Sequence, residues 1–228
     1  MSDDPHLRQA KEQVGRTHRG EISAPIVTTF FDEQTFTATH VVHDPVTKAA
    51  AVVDSVMDFD QAAGRVSFEA ADRIIEHVRS EGLALDWLLE THAHADHLSA
   101  APYIQQRLGG QIAIGEQICA VQQIFGKIFN EGTEFARDGS QFDRLFRDGD
   151  RFDLGDIPAI ALHVPGHTPA DMTYVIGDAA FVGDTLFMPD YGTARTDFPG
   201  GDAHQLYKSI RRLLALPDET RVFLCHDY

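Results

Sequence analysis

Four short apolar runs along the chain each stop at a residue able to bind a metal. LLET runs into His92, HVPG into His167, FVG into Asp184 and FLC into His226. Short runs rich in branched and aromatic residues favour strands. A strand end is where rigid backbone hands over to a loop, so a side chain there is held firmly and still reached from outside. Four such endings point to a sandwich whose strands converge on one rim.

The rest of the pattern supports layered sheets with helices outside. ATHVVHDPVTKAAAVVDSV reads as two β runs around the turn signal Asp44-Pro45. Phe68, Ala71, Ile74, Ile75 and Val78 follow at helical spacing, with Ser67 as the expected N-cap and Gly82 as the stop. LALDWLLE and QIAIG read as strands; residues 99–108 and EQICAVQQIFGKIF read as helices. Residues 130–150 are a charged excursion. Past AIALHVPGH and MTYVIGDAAFVGD, a last helix has Asp202 as N-cap, Leu206, Ile210, Leu213 and Leu214 facing inward, and Pro217 closing it; RVFLCH ends the chain. Residues 1–22, polar and aperiodic, are expected to be a flexible arm before one domain, 23–228.

Composition narrows the function. Lys plus Arg is 19 against 35 for Asp plus Glu, a net charge of −16. Nucleic-acid and anionic-membrane binders need basic surfaces, so neither partner is expected. No apolar run approaches the roughly 18 residues of a membrane span, and the N-terminus lacks an apolar signal core. Cys119 and Cys225 lie far apart and read as reduced core thiols. A cytoplasmic protein is the simplest expectation.

In HAHADH (92–97), His92, His94 and Asp96 alternate, so in extended chain they point to one side, with His97 offset. Helical ligand pairs sit four apart, so this is loop spacing. Imidazole and carboxylate suit Zn, Fe or Mn, and no set of thiolates suggests a closed structural zinc. Pro165-Gly166 makes the turn that presents His167. Asp184 ends an almost wholly apolar run, where a carboxylate is costly unless a cation partners it.

Together HAHADH, PGHT (165–168), GDTLF (183–187) and CHDY (225–228) resemble the motifs of the metallo-β-lactamase superfamily. The resemblance implies an α+β fold, the four-layer αββα sandwich, with metals at one sheet edge. It maps a dinuclear set onto His92, His94 and His167 for one metal and Asp96, His97 and His226 for the other, bridged by Asp184. All seven residues are present, so the ligand list permits two metals without forcing them.

YGTARTDFPGG (191–201) looks like the persulfide (sulfur) dioxygenase branch, which carries Arg-Thr-Asp-Phe after the metal aspartate, and the insert MPDYGTA (188–194) resembles its bacterial type. That branch implies one Fe(II) per chain on His92, His167 and Asp184, the two-histidine, one-carboxylate set of non-haem iron oxygenases. His94, Asp96, His97 and His226 then orient ligands and waters. The implied reaction uses both atoms of O2 to oxidise the terminal sulfur of glutathione persulfide, and hydrolysis releases sulfite and glutathione. Arg195 is the expected anchor for a glutathione carboxylate, Tyr228 a hydrogen-bond donor and Tyr191 a cavity wall. The alternative is a glyoxalase-II-like thioester hydrolase, in which two zinc ions generate hydroxide; there Thr196-Asp197-Phe198 would read differently. The reading leaves room for a homodimer and for a rhodanese-type sulfurtransferase partner. Relatives continue beyond the last histidine, so the C-terminus is expected to be truncated or the missing segment dispensable.

Overall fold

The structure, a computed structural model, describes residues 4–228. A first helix, α1 (Pro5–His18), precedes strands β1 (Ile26–Asp32), β2 (Thr37–His43), β3 (Ala49–Val53), β4 (Val56–Asp60) and β5 (Arg65–Ser67). Helix α2 (Glu69–Ser80) leads to β6 (Ala84–Leu89), β7 (Leu98–Ser99), α3 (Ala101–Leu108), β8 (Gln111–Gly115) and α4 (Ile118–Ile128). The second half holds β9 (Arg144–Phe146), β10 (Arg151–Leu154), β11 (Ile157–His163), β12 (Met172–Ile176), β13 (Ala179–Phe181), α5 (Ala203–Leu213) and β14 (Arg221–Phe223).

Two sheets face each other. One runs β1-β2-β3-β6-β8-β9 and the other β10-β11-β12-β13-β14, while β5-β4-β7 form a small side sheet. Between the main sheets lie Val42, Val53, Leu89, Phe146, Leu154, Tyr174 and Phe181. On the outer face of the first sheet, Ile74, Ile75 and Val78 of α2 and Ile104 of α3 pack against Val41, Val52 and Leu88. On the outer face of the second, Ala10 and Val14 of α1 and Leu213 of α5 meet Ile160, Leu162 and Val175. The four layers are therefore helix, sheet, sheet, helix, as expected. Near-continuous apolar strands such as Ala49–Val53 suit this burial on both faces.

Several local expectations change. Met1, Ser2 and Asp3 of the expected flexible arm lie outside the described residues, but Pro5–His18 is an ordered helix. Asp4 caps it, accepting from the His6 and Leu7 amides, and Pro5 sits in its first turn. Leu7, Ala10 and Val14 form a narrow apolar stripe diluted by long charged side chains, which masks the helical period. Gln13 fixes the helix to the sheet by donating to the Val175 and Gly177 carbonyls. Ser67 closes β5 instead of capping α2; Asp58 of β4 accepts from the Ala70 amide there. The 99–108 helix begins at Ala101, since Ser99 belongs to β7. Leu214 is 63% exposed, because α5 ends one residue before it. Residues 130–150 contribute β9. Cys119 and Cys225 are both free thiols.

Candidate metal centre

The sandwich brings the four strand endings to one rim. His92 follows β6, His167 lies in the turn after β11, Asp184 sits in a 3-10 turn (Gly183–Thr185) after β13, and His226 follows β14. These side chains are buried, with His226 only 1% exposed and Asp184 8%. His92 Nε2 is 3.8 Å and His167 Nε2 3.5 Å from Asp184 Oδ2, and His226 Nε2 lies 3.5 Å from Asp184 Oδ1.

Hydrogen bonds on the far side of each ring set which nitrogen faces inward. His167 Nδ1 donates to the Arg195 carbonyl at 2.8 Å, and a carbonyl only accepts. His226 Nδ1 meets the Phe36 carbonyl at 3.2 Å in the same way. His92 Nδ1 is 3.0 Å from Thr91 Oγ1, whose own proton goes to Asp54 Oδ2 at 2.8 Å, so the ring donates to the hydroxyl. All three rings therefore turn an unprotonated Nε2 towards Asp184, as metal-binding histidines require.

Two glycines allow this approach. A Cβ on Gly166 (φ 150°) would lie 2.3 Å from the Leu206 backbone nitrogen, where the His167 turn abuts α5. A Cβ on Gly183 (φ 53°) would collide with Thr91. Asp171 braces the same turn by accepting from the Thr168 amide at 2.8 Å, and burial pushes its carboxyl up to about 7.

Burial pushes the Asp184 carboxyl well above its ordinary range and the His92 imidazole well below. Asp184 Oδ1 and His226 Nε2 are buried without a hydrogen-bond partner. Unpartnered acceptors aimed at one another are costly in a dry site, and a cation between them removes the mismatch. His92, His167 and Asp184 each offer a ligand atom within 4.8 Å of the others. Two imidazoles and a carboxylate fit Fe(II) with open positions, and they fit zinc as well.

The HAHADH ligand atoms divide between two groups, His92 with His167 and Asp184, and His94 with Asp96 and His97, while the His92 and His94 rings stay 4.1 Å apart. The loop bends, and His94 turns its Nε2 to Asp54 Oδ1 (3.1 Å) and Glu90 Oε2 (3.4 Å), outside the His92–His167–Asp184 group. Burial acts to lower the His94 pKa, but the Asp54 carboxylate and hydrogen bonds override it and hold it well above the ordinary value. Asp96 lies 3.4 Å from His226 Nε2. His97 stacks on His94 at 4.2 Å and donates through Nδ1 to the Leu98 carbonyl.

A cavity of about 590 Å³ opens over Asp184 and His167, walled by Phe187, Tyr191, Phe198 and Tyr228 with Arg195 at its lip. The rings of Tyr191 and Tyr228 are 4.7 Å apart. Burial, then Asp184 and Asp96, push the Tyr228 hydroxyl up to about 12, so it stays protonated and offers a hydrogen bond at neutral pH. Arg195 is 71% exposed and pairs with Asp197 at 2.6 Å. Asp54, Glu90, Thr91 and Asp171 take part in the site without an obvious motif of their own.

Residues 35–226 match the metallo-β-lactamase superfamily, and the chain belongs to that superfamily. It is 55% identical to a probable metallo-hydrolase of Burkholderia pseudomallei, over 87% of this chain and 71% of that protein. It is 47% identical to a β-lactamase hydrolase-like protein of Agrobacterium fabrum, over 95% of this chain and 53% of the relative, so it spans about half of that protein's length. Identity to the human mitochondrial persulfide dioxygenase ETHE1 is 29%, over 97% of this chain and 76% of that one. Among solved structures, ETHE1 from Myxococcus xanthus aligns with a TM-score of 0.68 and 31% identity, over 89% of this chain and 76% of that one. Membership of a metallo-hydrolase superfamily points to a metal-dependent enzyme. No described helix is long and apolar enough to cross a membrane.

Proposed function

We propose that the chain is a persulfide dioxygenase holding one Fe(II) on His92, His167 and Asp184, acting on glutathione persulfide. The observation that carries this reading is the group of two imidazoles and one carboxylate, His92, His167 and Asp184, beside which His94 gives its Nε2 to Asp54 and Glu90. A set of that composition leaves coordination positions for both O2 and a sulfur substrate. The relatives named ETHE1 support it.

Iron bound there supplies the redox chemistry that couples O2 to the persulfide sulfur. The overall change consumes glutathione persulfide, O2 and water and yields glutathione, sulfite and two protons. Around it the chain's own residues bind and orient. Arg195 turns from Asp197 to grip a glutathione carboxylate in bidentate fashion. The Tyr228 hydroxyl donates a hydrogen bond into the cavity, and the Phe187, Tyr191 and Phe198 rings wall it around the reacting sulfur. Asp96 and His226 hold a pair of polar atoms beside Asp184 that orient water for the hydrolytic step.

A two-zinc thioester hydrolase is the second reading. It is favoured by the unpartnered His226 Nε2 between Asp96 and Asp184, and by the name of the Burkholderia relative. O2 electrode traces with the iron-loaded protein separate the two. Persulfide-dependent O2 uptake with equimolar sulfite is expected; thioester hydrolysis without O2 uptake would overturn the dioxygenase reading.

A further inference from the structure

We infer that Glu90 is a positioning residue that keeps His94 out of the metal group, limiting that group to two imidazoles and a carboxylate. The inference rests on the single-metal reading above but is carried by different atoms. Glu90 is pinned where β6 ends: its amide donates to the Ala113 carbonyl at 2.9 Å, and its own carbonyl accepts from the Tyr174 hydroxyl at 3.0 Å. Its side chain is only 6% exposed. Oε1 accepts from Ser99 Oγ at 2.6 Å, while Oε2 has no full hydrogen bond and faces His94 Nε2 at 3.4 Å.

The two carboxylates around His94 are not equivalent. Asp54 also accepts from the Thr91 amide at 2.7 Å and from the Thr91 hydroxyl at 2.8 Å. If His94 swung towards the metal, Asp54 would keep both of those donors. Glu90 Oε2, already without a hydrogen bond, would lose the one charged group that faces it, and a buried carboxylate without a counter-charge is expensive. The penalty for turning His94 therefore falls on Glu90. On the other edge of the ring, His94 Nδ1 is buried and unpartnered. Held between two carboxylates the ring carries both protons, and only release from that anchor on Nε2 frees this nitrogen for a cation. Position 90 decides between an iron-type set with open sites and a three-imidazole set that suits zinc.

Glu90→Gln keeps the shape and removes the charge. In anaerobic competition between Fe(II) and Zn(II), it should shift preference towards zinc by about ten-fold, the scale on which residues behind the ligands act. The Co(II)-loaded variant should absorb more strongly in the visible than wild type, as a three-imidazole set favours a four-coordinate site. The double variant Glu90→Gln/His94→Ala should lose both changes. An unaltered metal preference and cobalt spectrum in Glu90→Gln, or changes that persist in the double variant, would overturn the proposal. If Glu90→Gln does not fold, a crystal structure of cobalt-loaded wild type decides: His94 off the metal supports it, and His94 Nδ1 on the metal overturns it. These readouts do not depend on turnover, so absent O2 uptake would sink the dioxygenase reading alone.

Discussion

The two sides of the site are built differently. On the inner side, Asp54, Glu90, Thr91 and His92 are each no more than 4% exposed and tied by hydrogen bonds within 3.1 Å to at least one fixed neighbour. On the outer side, Arg195 and Asp197 are more than 70% exposed, and Tyr191 and Tyr228 are more than half exposed. The contrast separates two tasks. Metal affinity needs donors fixed to within fractions of an ångström, whereas substrate capture tolerates side chains that move. Substitutions on the inner side should therefore change metal content and stability, and those on the outer side should change substrate affinity alone.

The largest effect should come from Asp184→Ala, which removes the only carboxylate of the proposed group. Metal content should fall to background and activity by about a thousand-fold or more, with the fold retained by circular dichroism. Next comes Asp54→Asn. Replacing one of the two oxygens that order Thr91, and through it His92, with an amide nitrogen should weaken metal binding by about 10- to 100-fold. If this variant binds metal as wild type does, the inner side is not what positions His92.

Stability tests follow. Gly166→Ala should cost about 1–3 kcal/mol by forcing the His167 turn off α5, measured by denaturant unfolding of the metal-free protein. Asp171 gives a pH signature. Its folded pKa is raised to about 7 from an ordinary 3.8, so between those values the folded state binds the extra proton. Its contribution to stability is complete below about 4 and is lost as pH rises through 7. Asp171→Asn should remove that part of the slope. The smallest effect belongs to Arg195→Ala, with KM for persulfide rising several-fold, metal content unchanged and the same melting temperature. Lost metal in this variant would erase the contrast between the two sides.

Much of this was legible in the sequence for a physical reason. Strand ends pin their side chains whatever the loops do, so His92, His167, Asp184 and His226 could be picked out from four apolar runs. Asp54 carries the same mark, after Ala-Ala-Ala-Val-Val, yet a lone acid there reads equally as a turn residue. Glu90 was illegible as a partner of His94, because only the bend of the HAHADH loop brings positions 90 and 94 together. The same bend sends His94 Nε2 to Asp54 and Glu90, which the alternation of His92, His94 and Asp96 alone does not show. The helix over Pro5–His18 hides for another reason: its stripe of Leu7, Ala10 and Val14 is too narrow to stand out among charged neighbours, although Asp4-Pro5 is a sound start signal.

A single metal ion at this rim is what the site's geometry proposes. It is tested most directly by anaerobic titration of metal-free protein with Fe(II), with bound iron measured per chain. Saturation at one tightly bound iron, abolished by Asp184→Ala, is the expected result. Two irons or two zincs per chain, with the second lost on substituting Asp96 or His226, would contradict it.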